Sequence, residues 1–255
     1  MNQDLKKKVD ELIPNLAKVR RDLHKHPESG WTEFRTASMA IKKMQQLGYT
    51  ITMGEKAVCR EAMMGVPSAD ALRAHMERAI SQGADPELVA KMEGGMTGFW
   101  ADMDFGGEGP FLAVRFDMDC NDVTECTDAD HRPNVEGFAS VNKGAMHACG
   151  HDGHVAIGLA LAEVVASMRD QFKGKIRFIF QPAEEGVRGA MPMEKAGAVA
   201  GTSASKPIRS ARSFAARRTS WQPRRLTLPS PVCLLTPATP RKKVRTPCFL
   251  PRRLF

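Results

Sequence analysis

Between Met146 and His154 the chain reads MHACGHDGH, placing three histidines, a cysteine and an aspartate in nine residues. Thiolate and imidazole are both good zinc ligands, and imidazole also suits manganese, nickel and cobalt. Cys149 and His151 are two residues apart and can face one point from a looped backbone, which Gly150 and Gly153 leave free to turn. A second cluster, Gln181-Pro182-Ala183-Glu184-Glu185-Gly186, sets two adjacent carboxylates behind an apolar run. Neighbouring side chains diverge, so one carboxylate can bind a metal while the other addresses a bound water. A metal lowers the pKa of that water from about 15.7 to about 7, and a nearby carboxylate can then take its proton. A third cluster, Arg115-Phe116-Asp117-Met118-Asp119, places carboxylates at i and i+2 on one side of an extended segment, where they can orient a ligand histidine. A solvated polar turn accounts for any one of these clusters. Three of them, each at the end of an element, point to metal-dependent chemistry.

Those elements follow from periodicity. Leu5, Val9, Leu12, Leu16, Val19 and Leu23 recur at helical spacing over residues 1–25, with Pro14 expected to kink the helix or mark a restart. Phe34, Ala37, Ile41, Met44 and Leu47 predict a second helix over 32–47, closed by Gly48. Shorter helices are expected over 68–80 and 86–92, in an inserted or edge segment. Residues 98–101, FLAVRF (111–116) and KIRFIFQ (175–181) read as strands. Residues 155–168 are apolar nearly all round, as in a buried helix. Strands alternating with helices predict an α/β layer on a parallel or mixed sheet, whose carboxyl edge is the usual place for a site.

Composition divides the chain. Residues 201–255 carry 13 Lys plus Arg and no acidic residue, leaving 24 basic against 29 acidic side chains before them; the net charge of +8 therefore combines −5 and +13. Eight of the 16 prolines fall in this tail, and no period survives there. It is expected to be disordered or out of frame, the break falling near 197–201. Read as a nucleic-acid or anionic-surface arm it is a poor fit, because only Phe214 and Trp221 precede its last stretch and no stacking pattern forms. No apolar run approaches a membrane span and the N-terminus lacks a secretory pattern, so a cytoplasmic protein with free or metal-bound thiols is expected.

RRDLHKHPESGWTEFRTA (20–37), VRFDMD (114–119), MHACGHDGH (146–154) and FQPAEEG (180–186) together resemble the dinuclear metallo-amidohydrolases of the aminoacylase and glutamate carboxypeptidase superfamily. The likeness spans about residues 1–200. The helical insertion around 60–95 and HRPNVEGFAS (131–140) narrow it to the branch that hydrolyses p-aminobenzoyl-glutamate with paired A and B subunits. This resemblance implies a three-layer α/β catalytic domain of the metallo-aminopeptidase/carboxypeptidase type, here incomplete and without its lid (dimerisation) domain. It implies Cys149, His151 and Glu185 as metal ligands, Glu184 as the base that activates water and later protonates the leaving amine, and Asp117 as the acidic residue that organises the site. The implied cofactor is manganese or zinc, two ions in the full-length family, and the implied partners are an N-acyl amino acid and a homologous B subunit. His147 and His154 are read as local hydrogen-bonders, and Asp152 as a cap on a helix starting at Gly153. The resemblance also implies further ligand histidines downstream, whereas the seven histidines here end at His154. An impaired hydrolase is therefore expected, the alternative being a non-catalytic metal-binding fragment or subunit.

Overall fold

The computed structural model describes residues 3–203. The tail expected to be disordered or out of frame lies, from residue 204 on, outside the described residues.

Helices α1 (Gln3–Lys25) and α2 (Phe34–Gln46) lead into strand β1 (Thr50–Met53), then α3 (Ala69–Ser81) and the short α4 (Pro86–Ala90). Strands β2 (Phe99–Gly106) and β3 (Phe111–Asp117) precede the single turn α5 (Arg132–Val135), the long α6 (His151–Ser167), β4 (Gly174–Gln181) and α7 (Ala190–Lys195). The sheet runs β1-β2-β4-β3, with both β2 pairings antiparallel and β3 parallel to β4. It is thus mixed, and β1 is a strand too short to be legible from its four residues. Pro14 neither stops nor restarts α1. It is solvent-exposed, as is Asp10, whose carbonyl loses the amide partner, so water can replace the missing bond.

Strand alternation sends apolar side chains to both faces of the sheet. Phe99, Ala101, Met103, Phe116, Ile176, Phe178 and Phe180 pack with Leu23, Phe34, Ile41, Met44, Val155 and Leu159 of the helices. Trp100 and Ile179 face the opposite side, where Trp31, Val58, Met96 and Met193 cover them. The result is a helix layer, a sheet and a thinner second cover. Within the helix layer α6 lies close on β3 because Gly158 has no side chain: a Cβ there would stand 2.9 Å from the Phe116 ring. Although α6 is apolar nearly all round, Ile157 and Leu161 are exposed, so its burial is one-sided among the described residues.

Two buried acids join the N-terminal segment to this core. Glu28 accepts the amides of Arg35 (3.0 Å) and Thr36 (2.8 Å), capping α2 from a distance. The helix expected to start at Gly153 starts at His151 instead, with left-handed Gly150 in the capping position, while Asp152 Oδ1 does accept the Gly153 amide at 2.8 Å. Asp152 lies in the first turn, wholly buried, its Oδ2 meeting His24 Nδ1 at 2.9 Å and Arg20 Nε at 3.1 Å. His24 Nε2 meets Glu125 Oε1 at 3.0 Å, and His131 Nε2 meets the same oxygen at 2.9 Å.

A neutral imidazole has one N–H, so both His24 contacts are hydrogen bonds only when the ring is charged. Burial opposes that charge, but Asp152 and Glu125 outweigh it and raise the pKa. Stabilisation from this charge is complete below the unfolded value of about 6.5 and is lost as pH rises through the folded one. His24→Gln should therefore lower the Tm most in acid, and the gap from wild type should narrow as pH rises; a pH-independent gap would contradict a charged His24. Gly158→Ala should cost about 1–3 kcal/mol in urea unfolding through overpacking against Phe116.

Candidate metal centre

Because β3 and β4 are parallel, their carboxyl ends emerge side by side, and Met118 N donates to Gln181 O at 3.0 Å just beyond them. Asp119 follows, fully buried. Its Oδ1 accepts the amide of Glu184 and its Oδ2 that of Glu185, each at 3.0 Å. Its backbone carbonyl lies 2.8 Å from His151 Nδ1. That contact puts the ring's hydrogen on Nδ1 and turns the Nε2 lone pair toward the carboxylates. Nε2 stands 3.7 Å from Glu185 Oε1, 3.8 Å from Glu184 Oε2 and 3.8 Å from Asp117 Oδ1.

Cys149 completes the first group. Its amide donates to Asn121 Oδ1 at 3.1 Å, and Asn121 is held to Met146 by two backbone bonds of 3.0 and 3.1 Å. Gly150, at φ +82°, supplies the left-handed step between Cys149 and the first residue of α6. Cys149 Sγ, His151 Nε2 and a Glu185 oxygen lie within 4.8 Å of one another. The structure thus brings together the Cys149, His151, Glu184 and Glu185 singled out by sequence. Asp117 lies beside them, with one oxygen bonded to His154 and the other to Arg115.

The centre carries an excess of negative charge. Burial lowers the His151 pKa, but its bond to Asp119 and the charges of Asp117 and Asp119 prevail and lift it to about 9. The Cys149 thiol is pushed up, first by its hydrogen bond to Glu185 and then by burial. A site that holds an extra proton on imidazole and thiol has a place for a cation.

Behind the centre stands Glu33, fully buried in the N-terminal motif but given no role by sequence reasoning. Its Oε1 accepts the Ala183 amide at 2.8 Å and its Oε2 the Thr97 hydroxyl at 2.6 Å. Burial, and then the charge of Asp119, raise its pKa. Glu33 and Asp119 therefore hold three consecutive amides, 183 to 185, and fix a turn in which Ala183 takes φ +48°. The only signal for this was a glutamate within a motif whose spacing carried no chemistry of its own.

The flanking histidines differ. His154 does bond locally, to Asp117. His147 does not: it is 4% exposed, neither ring nitrogen meets a protein partner, and burial pushes its pKa down to about 4. The Asn121–Met146 bridge ties this segment to the chain beyond β3.

Residues 113–218 match the family model "Peptidase family M20/M25/M40". The chain is 51% identical over 191 residues to indole-3-acetyl-aspartic acid hydrolase of Enterobacter agglomerans, covering 75% of this chain and 44% of that one. It is 48% identical over 197 residues to the A subunit of p-aminobenzoyl-glutamate hydrolase from Escherichia coli (strain K12), covering 77% and 45%. Among solved structures it is similar to an aminobenzoyl-glutamate utilization protein from Klebsiella pneumoniae, with TM-score 0.64, 38% identity and coverage of 78% and 43%. A Bacillus subtilis protein described as a dinuclear metal-binding peptidase of the M20 family matches with TM-score 0.53, 30% identity and coverage of 76% and 41%. The chain spans less than half the length of these relatives.

Glu33→Ala leaves the Ala183 amide and the Thr97 hydroxyl without their acceptor in a buried place. It should cost about 1–3 kcal/mol in urea unfolding, while Glu33→Gln, which keeps an acceptor oxygen for Ala183, should recover most of that loss. Equal stability of wild type and Glu33→Ala would show that the clamp does not hold the turn.

Proposed function

The chain belongs to peptidase family M20/M25/M40, and on that premise we propose that it forms part of a metal-dependent amidohydrolase acting on p-aminobenzoyl-glutamate or a related N-acyl amino acid. The convergence of Cys149 Sγ, His151 Nε2 and Glu185 within 4.8 Å, with Glu184 at 3.8 Å from the same imidazole, carries this reading. Soft sulfur, imidazole and carboxylate in one cluster suit zinc; manganese is the alternative, with weaker affinity for such a set.

A divalent ion there supplies a water of lowered pKa and polarises the scissile carbonyl. With such an ion bound, Glu184 would be placed to take a proton from water and return it to the leaving amine nitrogen. Asp119 aims both glutamates through their backbone amides and sets the His151 tautomer. Cys149, His151 and Glu185 would hold the ion.

Among the described residues the first cluster offers three ligands, a weaker and less oriented set than a full one, and impaired turnover is part of this proposal. That same count supports a second reading, a metal-binding fragment or subunit without turnover. A homologous B subunit is the proposed protein partner, by analogy with the Escherichia coli relative, whose name marks it as the A member of a pair. The cytoplasm is the proposed compartment, supported by the free thiols of Cys59, Cys120, Cys126 and Cys149. No helix among the described residues is long and apolar enough to cross a membrane.

Purified chain incubated with zinc or manganese should hydrolyse p-aminobenzoyl-glutamate slowly. Glu184→Gln should lower kcat about 10²–10⁴-fold and leave metal affinity intact in calorimetry. Metal binding without hydrolysis would select the non-catalytic reading, and failure of the wild-type chain to bind either metal would reject both.

A further inference from the structure

Arg188 closes the turn that carries Glu184 and Glu185, and no step described above uses its side chain. Its amide donates to Ala183 O at 3.1 Å. Val187, just before it, takes φ +54°, a left-handed value that a β-branched residue rarely adopts. The Arg188 side chain lies back along its own turn, where a Cβ on Gly186 would collide with Nε. Its guanidinium rests on two further glycines: a Cβ on Gly65 would stand 2.8 Å from Nη1, and one on Gly30 2.9 Å from Nη2. Nη1 donates to Gly65 O at 3.0 Å. Nε is buried without a partner, and among the described residues Nη2 makes no hydrogen bond and Arg188 no ion pair.

This guanidinium lies on the rim of the candidate centre. Gly30 adjoins Ser29, which bridges Cys120 and bonds Asp122, the neighbours of the Asn121 that holds Cys149. Arg188 thus sits between the glutamate turn and the segment that fixes the cysteine. Nε and Nη2 form the edge of a guanidinium that takes a carboxylate side-on. Arg177 uses that same edge, with Nε and Nη2 each 2.7 Å from an oxygen of Asp102. Arg115, at the end of β3, is bonded to Asp117. In Arg188 the edge is unspent.

From this placement, and resting on the amidohydrolase reading above, we propose that Arg188 binds a carboxylate of the amino-acid half of the substrate. Glu184, placed to protonate the leaving amine, shares its turn, so the half that departs with that amine is the one brought to Arg188. The substrate class proposed above carries its negative charge there, and an N-acyl glutamate carries it twice, as an α-carboxylate and a side-chain carboxylate. Asp117, Asp119, Glu184 and Glu185 repel such a group, and a fixed cation on the rim offsets that repulsion. The carboxylate meets Nη2 first. Exposed Gly186 covers Nε, and the shift that opens it is one that a glycine permits.

The full chain with zinc bound, carrying Glu184→Gln so that no ligand is consumed, tests this by calorimetry. The ligands are p-aminobenzoyl-glutamate, its side-chain amide p-aminobenzoyl-glutamine, and its α-amide. This parent should bind the diacid about 10–100-fold more tightly than one of the two amides. The amide that loses affinity identifies the carboxylate that Arg188 holds. Adding Arg188→Gln should remove the preference and leave zinc affinity unchanged. Arg188→Lys keeps the charge without the fork and should show an intermediate preference. Three results overturn the Arg188 assignment and leave the amidohydrolase reading standing: equal binding of all three ligands by the parent, a preference that survives Arg188→Gln, or the same weakening of all three, as a mere staple to Gly65 would give. If Arg188→Gln does not fold, undiminished preference in Arg188→Lys overturns it equally. A parent that binds no zinc, or binds zinc and none of the three ligands, overturns both.

Discussion

Asp119 is the group on which the centre depends. One residue uses both side-chain oxygens to hold the amides of Glu184 and Glu185, and its main-chain carbonyl to fix the tautomer of His151. Such bonds can be made only if β3 and β4 deliver their ends to one place, which their parallel pairing does. Loss of the carboxylate would free two backbone amides in a part-buried turn and unhook the pair of glutamates together. Glu33 stands behind it as the next support, holding the Ala183 amide that starts the same turn.

Acidity gathers around one imidazole. Asp117, Asp119, Glu184 and Glu185 all approach His151, and Glu33 lies against Asp119. Like charges this close disfavour each other, and two responses are visible: Glu33 is raised and His151 is raised. Both are ways of bringing positive charge, here protons, into a site that a divalent ion would neutralise instead. The same pattern recurs at His24, where two buried carboxylates raise the pKa of a ring and tie α1 to α6 and to the segment carrying Asn121. The candidate metal centre is thus braced on one side by a sheet edge and on the other by an ion cluster.

The main elements were legible because they carry strong periodicity. Helices α2, α3 and α6 and strands β3 and β4 fall within a few residues of expectation. β1 was not, since four residues carry no pattern apart from their pairing with β2. Pro14 marks no restart, because a proline on a water-facing side of a helix costs less than one whose lost bond is buried. The reading of His147 as a hydrogen-bonder failed, and that of Asp152 as a cap holds for its bond to the Gly153 amide but not for the helix start, because the geometry of MHACGHDGH is set by Asn121, 25 residues before Met146, and by His24 on another helix.

What the sequence by itself determined is the chemistry on offer: a thiol, an imidazole and two adjacent carboxylates at element ends, and with them the match to peptidase family M20/M25/M40. Residue type carries that information, because ligand softness and proton affinity belong to side chains. Which atoms meet was decided only in three dimensions. Asp119 rather than its neighbour at i−2 reaches the amides of the glutamates, Glu33 supports the turn from 150 residues away, and Asp117 pairs with His154 across the β3–α6 contact. Those choices rest on strand register, on the absent side chain of Gly158 and on burial, each a property of contacts between distant segments that no local pattern encodes.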